Sequence, residues 1–181
     1  MDPLQNIFLW ALIPIVALFV GVVGLSSKRI KLEPPFTLII IFLFEIPRFI
    51  MVFLPQPSLG LPKFVTWIIG GIIFLIAMGF AVLAVYQIKF GAVKVPNVKR
   101  ELKTSGIYGL VRHPIYFGDT FWPVGLSIMF NATYSLMLTP LWFVLLLLLS
   151  LVEEDRLIEE YGKEYEEYMQ KVPKKIVPWV L

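Results

Sequence analysis

The chain has 181 residues, of which 58% are hydrophobic and 16% charged, with a net charge of +3, a single histidine and no cysteine. Soluble domains carry about 25% charged residues, so a polar, water-soluble fold is excluded. Disulfides, thiolate metal sites and a cysteine nucleophile are excluded as well, and a lone histidine cannot build a metal site.

Apolar runs of roughly 20 residues, the length that crosses a bilayer as a helix, recur along the chain. The first covers residues 7–25, and the preceding "MDPLQN" lacks a basic region, so this run is expected to stay as an anchor rather than be cleaved. The second, 36–54, carries Glu45, Pro47 and Arg48 within it. The third, 64–88, contains Gly70, Gly71 and Gly79, small residues that let neighbouring helices approach. The fourth, 116–130, is short and holds Asp119 and Pro123; the fifth, 134–152, includes "LWFVLLLLLSLV". The turn "NAT" between them is tight and predicts a helical hairpin. Its match to a glycosylation sequon carries no weight so close to the membrane. The expected fold is an all-α integral membrane bundle of about five transmembrane helices, one domain over residues 1–181, closed by a cytoplasmic C-terminal helix.

Charge placement sets the expected orientation. Lys28, Arg29 and Lys31 follow the first run, and Lys89, Lys94, Lys99, Arg100, Lys103 and Arg112 crowd the loop after the third. Lys163, Lys171, Lys174 and Lys175 lie in the tail, whereas the second loop has only Lys63 and the fourth turn has no charge. Alternate loops are therefore basic, which puts them in the cytoplasm, with the N-terminus outside and the C-terminus inside. The two long polar stretches, 89–112 and 153–181, then share the cytoplasmic side, where a water-soluble cofactor would be held.

Candidate chemistry concentrates in these stretches. Glu153 and Glu154 come where the fifth run leaves the lipid, a costly depth for a carboxylate that is not paired or hydrated. Glu159, Glu160, Glu164, Glu166 and Glu167 read as a solvated helix with Lys163 and Lys171 as partners. Arg100, Lys103, Tyr108, Arg112, His113 and Tyr116 form a basic and aromatic strip facing the acidic pair. That combination suits a zwitterionic ligand: cations take its carboxylate, acids its ammonium, and tyrosines pack on a cation. Within the second run, Glu45 and Arg48 fall on one helical face; they either neutralise each other or line the polar end of an acceptor site. Asp119 is open to three roles: capping, pairing with Arg112, or contacting substrate.

The elements "GIYGLVRHPIYFG", a hydrophobic hairpin, "EE" and "YGKEYEEYMQKVP" resemble, in order and spacing, the isoprenylcysteine carboxyl methyltransferase family, and related phospholipid N-methyltransferases share the pattern. The likeness spans residues 89–173. It implies a membrane methyltransferase using S-adenosylmethionine, with a lipophilic small molecule or a lipidated acceptor (a prenylcysteine carboxylate among them) drawn from the bilayer and no nucleic-acid partner. Carried over by motif, the implied cofactor residues are Arg100, Glu101, Leu102 and Lys103, then Tyr108, then His113, Pro114, Ile115 and Tyr116, then Glu153 with its neighbour Glu154. Glu45, Arg48 and Asp119 remain candidates for the acceptor. One departure stands out: the family's arginine four residues before the acidic pair, taken to bind the acceptor carboxylate, is Leu149 here. Arg48 and Arg156 are the substitutes considered, and an amine or hydroxyl acceptor gains weight. "RHPIYFGD" and "KVPKKIVPWVL" also look like the tail of the much longer membrane sterol reductases, which use NADPH. A non-catalytic lipid-binding protein is the third reading, and it leaves the histidine–proline–tyrosine element and the acidic pair without a role.

Overall fold

A computed structural model describes residues 6–26, 34–88 and 101–178. Among these residues the secondary structure is helical: α1 (Ile7–Ser26), α2 (Pro34–Met51), α3 (Lys63–Gln87), α4 (Pro114–Met129), the short α5 (Thr133–Met137), α6 (Thr139–Tyr161) and α7 (Lys163–Lys171), with a 3-10 turn at Gly106–Gly109. Each expected run is helical over most of its length, although the second stops at Met51. The fifth is divided at Leu138 into α5 and α6, and α6 does not stop at the acidic pair but continues unbroken to Tyr161. Glu153 and Glu154 therefore project from a rigid helix. The "NAT" turn is tight, as expected: Asn131 takes a left-handed conformation (φ 54°) between α4 and α5, and Pro140 stands in the first turn of α6, where a missing N–H costs nothing.

The helices are apolar on the outside. Phe64 and Leu75 of α3 are each 70% exposed, amid a surface of Leu, Ile and Phe. Water would not tolerate such a contiguous belt; lipid would, and the molecule is a membrane protein. Two helical runs, Lys63–Gln87 and Thr133–Tyr161, are long and apolar enough to cross a bilayer.

With lipid outside, helix association depends on close packing rather than on hiding grease. α3 and α4 pack along small residues. A methyl built on Gly125 would stand 2.6 Å from the Phe74 backbone nitrogen and 2.8 Å from the Gly70 carbonyl, and one on Gly118 would stand 2.9 Å from the Ala77 carbonyl. The register, Gly70 beside Gly125 and Ala77 beside Gly118, makes the pair antiparallel. Of the glycines expected to serve this purpose, Gly70 does; Gly71 and Gly79 face open space. The other half of the core joins α1, α2 and α6 through Ile7, Ala11, Phe44, Met51, Trp142, Leu146 and Leu149. These two halves leave the N-terminus of α4 and the C-terminal turns of α6 side by side.

Candidate active site

The 3-10 turn at Gly106–Gly109 is set by Gln87 at the end of α3, whose Oε1 accepts the Ile107 N–H at 3.2 Å. Gly106 has a φ of 65°, which favours glycine, and the Gln87 amide lies where its side chain would start. His113 is the N-cap of α4, and Pro114 follows at the first helical position, where its fixed φ suits the helix. The pairing of His and Pro thus starts α4 and aims the imidazole back toward α6.

There the imidazole lies between two carboxylates, with Nδ1 3.4 Å from Glu153 Oε2 and Nε2 3.1 Å from Glu154 Oε1. The Tyr116 hydroxyl donates to Glu153 Oε2 at 2.7 Å, and its ring stacks on the imidazole at 5.3 Å between centroids. Burial alone would push the His113 pKa down; its hydrogen bonds to Glu153 and Glu154, and their charges, outweigh burial and hold it above the usual 6.5. Both ring nitrogens facing carboxylates is the arrangement of an imidazolium, two donors with two acceptors. Burial and the Glu153 charge push the Tyr108 phenol up, which places Tyr108 within the field of the same carboxylate.

The two glutamates differ in their surroundings. Glu154 is buried and paired three times: Oε1 accepts from Arg112 Nε at 2.7 Å as well as facing His113, and Oε2 meets Lys175 Nζ at 2.7 Å. Glu153 keeps a side chain 39% exposed, the more accessible carboxylate of the two. Arg112 is buried as well, donating to Glu154 and, through Nη1, to the Val172 carbonyl at 2.8 Å. Both residues expected in the strip and the acidic pair thus lie beside His113, paired with each other.

The remaining candidates fall as follows. Arg100 lies outside the described residues. Glu101 and Lys103 form an ion pair with each other, and Leu102 packs into the cluster of Tyr165, Tyr168 and Val172. Segment 101–103 is thereby tied to the α7 side. Pro114 is buried and Ile115 half-buried beside the imidazole in sequence. Tyr108 is half-buried, its carbonyl held by the Tyr168 hydroxyl at 2.7 Å.

Glu45, Arg48 and Asp119 do come together, deeper in the bundle. Arg48 donates to Glu45 at 3.1 Å and to the Asp119 backbone carbonyl, with Phe44 4.1 Å and Trp122 5.1 Å from its guanidinium carbon. Trp122 donates to the other Glu45 oxygen at 3.1 Å. Arg48 is wholly enclosed while Glu45 keeps 28% of its side chain exposed. Two of the roles left open for Asp119 are thereby removed: His113 is the cap, and Arg112 pairs with Glu154. Leu149 is a core residue among Phe44, Met51 and Trp142, a position where an arginine would have to displace packing.

Residues that sequence reading missed are Lys175, Gln87 and Trp122. Each acts across 20 or more positions of sequence, a contact that neither helical periodicity nor the tail element "KVPKKIVPWVL" reveals. Two grooves, one between α1 and α2 and one around Gln56, Lys63, Trp67 and Asn131, touch neither His113 nor Glu153.

Comparison with known proteins puts this cluster in context. The phospholipid methyltransferase pattern matches residues 65–164, more than half of the chain, including Tyr108, Arg112, His113, Tyr116, Glu153 and Glu154. The chain belongs to the phospholipid methyltransferase family. Among relatives, it is 35% identical over 91 residues to the protein-S-isoprenylcysteine O-methyltransferase of Schizosaccharomyces pombe, covering 44% of this chain and 34% of that protein. It is 37% identical over 75 residues to a probable protein-S-isoprenylcysteine O-methyltransferase of Oryza sativa subsp. indica, covering 41% and 39%. It is also 34% identical over 86 residues to the Delta(14)-sterol reductase TM7SF2 of Mus musculus, covering 45% of this chain and 20% of that protein. The chain thus spans well under half the length of each of these relatives. No solved structure matches it.

Proposed function

We propose that this member of the phospholipid methyltransferase family transfers a methyl group from S-adenosylmethionine to a lipophilic acceptor at the cytoplasmic membrane interface. The observation that carries the reading is the half-exposed Glu153 carboxylate, oriented by His113 and Tyr116 inside the segment that matches the family. These residues fit a cationic cofactor: one accessible anion, two aromatic rings and no free competing cation among Arg112, His113 and Lys175. When bound, S-adenosylmethionine supplies an electrophilic methyl on sulfur. Glu153 would hold the ammonium of its methionine end, Tyr108 and Tyr116 would flank it, and the Glu154 frame would keep the imidazole from turning. Catalysis then rests on position and desolvation, with reacting atoms brought to about 3–3.5 Å. In the displacement the acceptor–methyl bond forms as the methyl–sulfur bond breaks, and the thioether leaves neutral.

The acceptor class follows from which charges are accessible. No arginine stands at 149, Arg48 is enclosed, Arg156 is half-buried with its charge acting on Glu153, and the Glu45 carboxylate is partly exposed. These features favour an amine or hydroxyl over a carboxylate, and such an acceptor must lose a proton. We expect radiolabelled methyl from the cofactor to enter amine-bearing lipids in proteoliposomes at least about tenfold faster than a prenylcysteine acid, the discrimination one buried charge contact gives; the reverse preference would return the carboxylate acceptor.

The chain is read as crossing the bilayer with α1, α2, α3, α4 and the apolar part of α6, the N-terminus outside and α7 in the cytoplasm, on the strength of its alternating basic loops. The mouse relative favours one second reading, an NADPH-dependent reductase. It requires a site for a dinucleotide, and binding of NADPH in place of S-adenosylhomocysteine would support it.

A further inference from the structure

Beyond the segment that matches the family lies the stretch after α7, "VPKKI", and it is built into the site. The Arg112 N–H donates to the Lys174 carbonyl at 3.0 Å and the His113 N–H to the Lys175 carbonyl at 2.8 Å. Arg112 Nη1 reaches the Val172 carbonyl, Lys175 Nζ reaches Glu154, and the Ile176 side chain is fully buried. Backbone and side chain from one short stretch therefore grip the residue that carries the imidazole and the carboxylate that faces it. Gly162 makes this geometry available by turning the chain between α6 and α7 with φ 57°, and Tyr165 and Tyr168 dock α7 so that the tail returns beside α4.

We propose that the tail segment 172–176 is a strap that positions His113, with Lys175 as the positioning residue that balances Glu154. In its bearing on ligand affinity the inference rests on the methyltransferase reading; its effect on the imidazole does not. Lys175 touches no ligand. It neutralises one Glu154 oxygen, leaving the other to be shared by Arg112 and His113. Without that ammonium, Glu154 is compensated by Arg112 alone, exerts a stronger negative field on the imidazole and draws it away from Glu153.

The groups facing the imidazole are Glu153 and Glu154 from α6, with Arg156 one turn on; Tyr116 from α4; Arg112 from the loop before it; Tyr108 from the 3-10 turn; Lys175 from the strap; and Tyr165 and Tyr168 of α7 behind Glu154. Because the chain has one histidine, histidine labelled with 13C at the ring gives a single signal in detergent micelles, and its titration reports this site alone. Lys175→Met is expected to raise the titration midpoint by about half to one pH unit, the size of one nearby charge removed. Glu154→Gln is expected to lower it, and Lys175→Arg to leave it in place. In parallel, Lys175→Met should weaken binding of S-adenosylhomocysteine about tenfold, the worth of one charge-assisted hydrogen bond, and Lys175→Arg should restore it. An unchanged midpoint in Lys175→Met, or a drift of both Lys175→Met and Glu154→Gln toward the value of free histidine, would overturn the strap: the first means no influence, the second mere loss of fold. Failure of the wild-type chain to bind S-adenosylhomocysteine, with the shifts of midpoint intact, would instead overturn the methyltransferase reading and leave the strap standing.

Discussion

Glu154 illustrates how burial assigns roles that residue type cannot. Two adjacent glutamates look equivalent in a sequence, but a helix turns about 100° per residue, so Glu154 is buried among Arg112, His113 and Lys175 while Glu153 stays partly exposed. A buried carboxylate with three cationic neighbours is stable only while all are present; removing its charge leaves Arg112 and Lys175 uncompensated at a cost of about 3–5 kcal/mol. Glu154→Gln is accordingly expected to lower the thermal midpoint of the detergent-solubilised protein sharply, measured by intrinsic fluorescence. Stability should also depend on pH through His113. Its pKa is raised on folding, so its contribution is complete below 6.5, the unfolded value, and is lost as pH rises through the higher folded value. Melting curves between pH 6 and 9 should show a decline toward the alkaline end that His113→Gln abolishes. At this scale the sequence was informative where a motif fixes order and spacing: Tyr108, His113, Tyr116 and Glu153 do converge. It was silent about Lys175, because a contact between the tail and the start of α4 leaves no periodic trace.

The element that carries most of the packing is the α3–α4 pair, and its chemistry is that of small residues in lipid. Gly125→Ala places a methyl against the α3 backbone, which has no rotamer by which to yield, and is expected to destabilise by about 1–3 kcal/mol. Gly71→Ala, facing open space, should be neutral or mildly stabilising, since alanine is the better helix former by up to about 1 kcal/mol. Chemical denaturation of the two variants in the same micelle tests the contrast. Helix positions along the chain were legible from apolar run length alone. The facing glycines on α4 were not, because nothing in a single sequence says which side of an apolar helix meets a partner. The length of α6 was hidden for a related reason: the change from apolar to charged residues after Val152 does not end the helix, which runs on to Tyr161.

For the whole molecule, the belt of exposed apolar side chains makes a bundle in lipid, and the alternating basic loops carry the proposal that its charged cluster faces the cytoplasm. The absence of cysteine provides a clean background for mapping it. Ser58→Cys, between α2 and α3, should react with a membrane-impermeant maleimide from outside intact cells or right-side-out vesicles, and Lys171→Cys only after permeabilisation; the opposite pattern would invert the bundle. The central claim concerns the cluster itself, and calorimetric titration of the purified protein with S-adenosylhomocysteine, with NADPH run alongside, tests it most directly. We expect micromolar binding of S-adenosylhomocysteine that is lost in Glu153→Gln and His113→Ala while both variants stay folded, and no binding of NADPH. Binding of NADPH alone, or of S-adenosylhomocysteine with equal affinity by wild type and Glu153→Gln, would contradict it.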